Sequence, residues 1–458
     1  MMLSRSTLSR SAPRALQVTN RRSMASASNP GLQYEVSDAA GVKIANREVA
    51  GPTSTLALVS KAGSRYQPFP GFSEALDRFA FQSTVKRSAL RITREVELLG
   101  GAFSSSHSRE NVVLTTKFLS NDLPYFTELL AEVASQSKFA AWELDELVAN
   151  LLKLRQQAIT ADPEYLGIDA AHGLAFHRGL GDNITPNTSV PFEKYLSVEA
   201  LSEFAKDAYS KSNIALVGSG PNSSELSRWA GQFFQGLPTT GTSGQYKVQD
   251  KGASKYHGGE QRISHKSENA VVIGFPGSSA FGTSGYKPEV AVLASLLGGE
   301  STIKWTPGFS LLSQATQSFA QLRVSTKSHT YSDAGLFTIA LSGNAGQVAT
   351  ASKNVVDAIK KVAAGEVASE EIKKAAALAK FRSLESVQTL ETGLEASGSA
   401  LINGGKPYQI DEIAQNIDNV TEQQVKDLAK SFLSGKASVV AVGDLFQLPY
   451  AEDLGLTV

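Results

Sequence analysis

With 458 residues, the chain is long enough for two or more domains that each bury a full core, and 41% apolar with 19% charged residues is the make-up of a folded globular protein. Its 44 basic residues balance 44 acidic ones, so no net field draws nucleic acid or another polyanion. Cysteine is absent, which excludes disulfides, thiol nucleophiles, iron–sulfur ligation and cysteine zinc sites together.

The first segment stands apart from the rest. Arg5, Arg10, Arg14, Arg21 and Arg22 lie among many serines, and the first acidic residue is Glu35. That is the composition of a mitochondrial transit peptide. Leu8, Ala12, Ala15 and Leu16 share one helical face, which Pro13 weakens. Arg22-Ser23-Met24 before Ala25 resembles a processing site, so residues 1–24 are expected to be a presequence. No apolar run approaches the roughly 20 residues that a membrane helix needs.

Strands are expected at 53–61, where Leu56 and Leu58 share a face, and at 111–118, 271–275 and 334–342. Helices are expected at 72–82, 90–99, 123–135, 143–160, 287–297 and 347–364. Residues 196–218 and 420–443 repeat one design: an amphipathic helix, a polar turn, then an apolar strand ending in Val-Gly. Phe204-Ala205-Lys206 in the first corresponds to Leu428-Ala429-Lys430 in the second, and Thr421 with Gln424 has capping-box spacing. Between them, 236–259 is rich in glycine, serine and threonine and reads as an interdomain linker. The expected organisation is α+β: homologous domains at 30–235 and 260–458, each a mostly antiparallel sheet covered by helices.

The helix at 72–82 carries the chemistry to be judged. Gly63-Ser64-Arg65-Tyr66, then Gly71-Phe72-Ser73-Glu74-Ala75-Leu76-Asp77-Arg78-Phe79, then Glu95 to Gly101 and Ser108-Arg109-Glu110-Asn111 resemble the pitrilysin and mitochondrial processing peptidase family. The resemblance covers essentially the whole mature chain. It implies two homologous α+β domains forming a clam around a cavity, with an inverted zinc motif, His-x-x-Glu-His, on this helix. Two histidines four apart converge on one zinc, and the glutamate activates water. Here Glu74 and Arg78 stand at the two histidine positions and Asp77 at the glutamate. The region of the family's third ligand, 151–158, reads LLKLRQQA, with no acid and with Gln156 and Gln157 near its end. The resemblance therefore implies a vestigial site with no zinc and no catalytic residue. Glu74 and Arg78 are spaced for an i,i+4 ion pair worth about 0.2–0.5 kcal/mol. They and Asp77 are expected on a cavity face, with Phe72, Ala75, Leu76, Phe79 and Ala80 buried opposite. Of the six histidines, only His172 and His177 are close in sequence, and five residues apart they do not converge. All six, with His107, His257, His265 and His329, read as solvated or core residues.

Non-catalytic relatives in this family are of two kinds: the presequence-binding α-type subunit of the processing peptidase, and the paired core subunits of respiratory complex III. Residues 297–308 hold Gly298, Gly299 and Gly308 but no extended glycine run, and Ile303, Trp305 and Pro307 are expected to stiffen that loop. Ser254 to Arg262 and Tyr331 to Phe337 look closely like the core subunits, the second being shared across the family and the first more specific. That likeness implies a structural role without redox or proteolytic chemistry and no cofactor in this chain. It also implies a heterodimer with the other core subunit, on the matrix side of the mitochondrial inner membrane, without a transmembrane span. The presequence-binding reading remains the alternative.

Overall fold

The computed structural model describes residues 33–458, apart from 187–190, 242–243, 300–307, 320 and 389 and the side chains of 387–391. The expected presequence with its cleavage region Arg22 to Ala25, and the loop residues Ile303, Trp305 and Pro307, lie outside the described residues.

In the first half the chain forms β1 (Glu35–Ala39), β2 (Val42–Arg47), β3 (Thr53–Ser60), α1 (Phe72–Phe79), α2 (Ala89–Leu98), β4 (Ala102–His107), β5 (Val112–Leu119) and α3 (Leu123–Gln136). A short α4 (Ala141–Glu143) runs through one π turn, Leu144–Val148, into α5 (Ala149–Ala161). Then come α6 (Pro163–Phe176), α7 (Val198–Ala208), β6 (Ile214–Ser219) and α8 (Ser223–Phe233). The second half has β7 (Gly259–Ser264), β8 (Asn269–Pro276), α9 (Pro288–Leu297), α10 (Leu311–Thr316), β9 (Arg323–Thr330), β10 (Gly335–Gly343), α11 (Ala345–Ala364), α12 (Ser369–Gln388), α13 (Leu390–Ile402), α14 (Ile410–Asp418), α15 (Glu422–Ser434) and β11 (Ser438–Gly443).

The two sheets run in the orders β1-β2-β6-β3-β5-β4 and β7-β11-β8-β10-β9. Set β1 aside and the orders are the same. In each, only the pair containing the strand after the repeated helix (β2 with β6, β7 with β11) is parallel, and the rest are antiparallel. This is an α+β protein of two homologous, mostly antiparallel sheets. The capping box at Thr421 and Gln424 forms at the start of α15. The helix expected at 72–82 ends at Phe79, because Ala80 turns extended (φ −57°, ψ 132°). The β1–β2 hairpin was not foreseen. Ala40 and Gly41 both take positive φ (55° and 81°), the conformation of a tight hairpin turn, without the usual Asn-Gly signal.

Each sheet buries both faces, and here sequence order and spatial order part. One face of the first sheet, with Ile44, Leu56, Leu58 and Leu114, packs on helices of its own half. Its other face, with Ala45, Ala57, Val59 and Val217, packs on Leu394 and Leu401 of α13, from the second half. Reciprocally, Val272, Ala340, Val440 and Val442 of the second sheet pack on Ala171 and Ala175 of α6, from the first half. Both exchanged helices meet their sheet through a glycine. A Cβ on Gly398 would come within 2.4 Å of Val59 Cγ2, and one on Gly167 within 2.8 Å of Val272 Cγ2.

Residues 246–254, within the segment expected to be a linker, form a packed strap. Gln249 N–H donates to the Tyr66 carbonyl (2.8 Å) and Val248 N–H to Asp207 (2.7 Å), and the Tyr246 ring stacks on Phe72 at 5.7 Å. Ser254 N–H then donates to Asp333 (2.8 Å), on the turn between β9 and β10.

Candidate functional site

α1 begins where Gln67 accepts hydrogen bonds from the N–H groups of Gly71 (3.1 Å) and Ser73 (3.2 Å), and Gly71 at φ 100° turns the chain into the helix. Phe72, Ala75, Leu76 and Phe79 are buried as expected, but so are Glu74 and Asp77, at 0% and 4% exposure. The anticipated cavity face is thus closed around these two side chains. The hydrophobic stripe drives one side of α1 into the core, and β4 and α5 cover the side that carries the two carboxylates.

Glu74 does not pair with Arg78. Its Oε1 lies 3.5 Å from Nε of Arg155 on α5, and it takes no hydrogen bond from the described residues. Burial pushes the Glu74 carboxyl above its ordinary value, against the opposing pull of Arg155, His107 and Arg78. Asp77 sits differently. Burial pushes it upward too, but the hydrogen bond from His107 (Nδ1 to Oδ2, 2.7 Å) and the His107 charge outweigh this and hold it below the usual aspartate value. His107 stands at the end of edge strand β4, in inward alternation with Phe103 and Ser105. The segment at 151–158, which has no acid, delivers Arg155 to the site rather than its glutamines. Gln156 donates to the Pro186 carbonyl (2.9 Å), and Gln157 is exposed.

Sequence reasoning missed Arg155 and His107. Arg155 is legible in LLKLRQQA as the cation beside the two glutamines, but nothing in the sequence says that it faces Glu74. His107 becomes a partner only once β4 lies beside α1. Chemically, these residues hold one another. The Arg155 guanidinium faces the Glu74 carboxylate, the His107 imidazole holds the Asp77 carboxylate, and Arg78 has no lone pair for a metal. Among the described residues, no three or more histidine, aspartate or glutamate side chains cluster as a metal site would require. Four of the other five histidines pair across the fold in ways that sequence distance hid. His172 meets the His329 ring at 5.1 Å and the Tyr331 hydroxyl at 2.8 Å, while His177 stacks on His257 at 4.0 Å.

A second group of charges lies at the seam between the halves. Arg65 reaches Glu110 (2.8 Å) and Asp333 (2.7 Å), and Glu110 also accepts from the Ser332 N–H (2.8 Å) and hydroxyl (2.6 Å). Beside it, Arg109 pairs with Asp169 of α6 and donates to the carbonyls of Leu180 (2.9 Å) and Asp182 (2.6 Å). Arg65 and Glu110, which carried the family resemblance, thus clasp the halves, and Arg109 ties α6 to the first half.

Residues 43–184 match the family described as Insulinase (Peptidase family M16), and residues 195–378 match the one described as Peptidase M16 inactive domain. The chain is similar over its whole length to the cytochrome b-c1 complex subunit 2, mitochondrial, of Neurospora crassa, at 46% identity with 100% of each chain covered. It is 35% identical to the protein of that name from Yarrowia lipolytica, over 92% of this chain and 96% of the relative, and 29% identical to the one from Homo sapiens, over 90% of each.

Proposed function

The chain belongs to the M16 peptidase family, and on that premise we propose that it keeps the family's shape without its chemistry, as core subunit 2 of mitochondrial ubiquinol–cytochrome c reductase, respiratory complex III. In this reading it is neither redox-active nor proteolytic. It pairs with core subunit 1 on the matrix side of the inner membrane and is needed to assemble and stabilise the complex. One observation carries the reading. In a chain similar from end to end to relatives named for that complex, the helix that should hold zinc presents Glu74 to Arg155 and Asp77 to His107. Glu74, Asp77, Arg78, Gln156 and Gln157 are read as the vestigial positions of the zinc site. The mature chain is taken to begin after cleavage near Arg22-Ser23-Met24, at Ala25. The domains are taken as 30–235 and 260–458, joined by 236–259. No helix among the described residues is long and apolar enough to cross a membrane, so attachment is assigned to partner subunits.

Native gel electrophoresis of mitochondrial extracts tests the reading. The chain is expected to co-migrate with the haem-bearing complex III band, and that band is expected to vanish when the gene is deleted. A free heterodimer that binds presequences while complex III assembles without the chain would replace this reading with the α-type one.

A further inference from the structure

A cavity of about 470 Å³ opens at the seam, on the face of the first sheet opposite α1 and thus away from the vestigial site. Both halves line it: Ser108 and Asn111 after β4, the loop at Phe281 and Thr283, the Tyr331-Ser332 turn and one side of α13. Its volume lies in the range of small-molecule sites, and alanines and glycines leave it open.

Its charge and surface select one kind of occupant. The charged residues lining it are Glu110, Glu395 and Lys406, and Lys406 is exposed. Both Glu110 oxygens are engaged by Arg65 and Ser332. Glu395 is not spent in this way. Its Oε1 accepts from Ser108 Oγ (2.7 Å) and Asn111 Nδ2 (3.2 Å), which fix the carboxylate in place, while Oε2 takes no hydrogen bond from the described residues. Another part of the wall is aromatic. Phe281 meets Tyr408 at 5.7 Å edge to face, with Tyr286 behind it at 5.5 Å. A fixed carboxylate with an open acceptor, in a cavity whose lining also holds Ser399 and the rings of Phe281 and Tyr408, suits a positive head on an apolar stem. An anion would meet Glu395, and a neutral apolar molecule would leave that carboxylate desolvated and unpaired.

We propose that this cavity binds an ammonium or guanidinium group carried on a short apolar stem, with Glu395 as its counter-charge and Phe281 and Tyr408 as the wall for the stem. Such a group could be a free organic amine, or a lysyl or arginyl side chain of a partner subunit. Because it would touch both halves, its binding would also brace the seam.

The test titrates the full mature chain with benzylammonium and with agmatine, read by calorimetry and by the shift in melting temperature, with benzyl alcohol and benzoate as controls. Saturable binding of the two cations and not of the controls is expected. Glu395→Gln should weaken binding at least about tenfold, the worth of one charge-assisted hydrogen bond. Ala396→Leu, which narrows the cavity without removing a polar group, should weaken it as well. The melting curves of the unliganded variants show that they are folded. Repeating the titration on purified complex III separates the sources: unchanged binding points to a free amine, and blocked binding to a partner's side chain. Absent cation binding, controls that bind as tightly, or variants that bind like the wild type would overturn the proposal.

Discussion

Around Arg65 and around Glu74 the protein buries carboxylates beside guanidinium groups, yet it treats them differently. At the seam, Glu110 has both oxygens engaged, Asp333 receives Arg65 and the strap N–H, and Arg109 is anchored to a carboxylate and two carbonyls. On α1, Glu74 has one guanidinium at 3.5 Å and no hydrogen bond, and Asp77 relies on His107 with its second oxygen unpartnered. Fully bonded buried charge holds a structure to one arrangement, whereas sparsely bonded buried charge is only accommodated. The seam charges hold the halves together, while the carboxylates on α1 are merely accommodated.

The largest effect should come from breaking the seam. Arg65→Ala strands Glu110 and Asp333, and removing one partner of a buried pair costs about 3–5 kcal/mol, which urea denaturation of the chain would register. Next is the packing of the exchanged helix. Gly398→Ala forces a methyl against Val59 and should cost about 1–3 kcal/mol in the same assay. If Gly398→Ala proves neutral, α13 does not sit as closely on the first sheet as described.

A pH series sharpens the comparison further. Burial, then the Arg109 and Lys327 charges, lowers His329 from 6.5 to about 4, and His172 is lowered as well. The unfolded chain therefore binds more protons than the folded one below pH 6.5. Stability present above that value should fall as pH drops, with the His329 part of the loss complete near pH 4. Glu74 works in the opposite sense. Its raised carboxyl stabilises fully below the ordinary 4.5 and loses that contribution as pH rises. Denaturation midpoints from pH 7 to pH 5 should decline in the wild type and decline less in His329→Gln. The smallest effect is expected at Glu74 itself. Glu74→Gln should change stability at pH 7 by no more than about 1 kcal/mol, since it removes a poorly bonded charge and leaves Arg155 partly in solvent.

Much of the fold was legible because it is local. The buried stripe of α1, the strand alternation at Leu56 and Leu58, and the capping box at Thr421 are written in consecutive residues. The exchange of α6 and α13 was not. Their alanine- and glycine-rich faces show weak amphipathic periodicity, and nothing in sequence spacing says that a helix will cover the sheet of the other half. The same limit applied to the site. The substituted motif could be read at Glu74, Asp77 and Arg78, but the i,i+4 pairing assumed that a helix chooses its partners locally. Burial against α5 and β4 gave Glu74 and Asp77 the non-local partners Arg155 and His107 instead.

The proposed role rests on the shape of the chain and not on the α1 side chains Glu74, Asp77 and Arg78. It is tested most directly in a deletion strain complemented with the triple variant E74Q/D77N/R78Q, by measuring ubiquinol–cytochrome c reductase activity together with the complex III band on native gels. The account predicts both at the level given by the unmodified chain. A variant that accumulates normally yet leaves reductase activity or presequence cleavage impaired would contradict it.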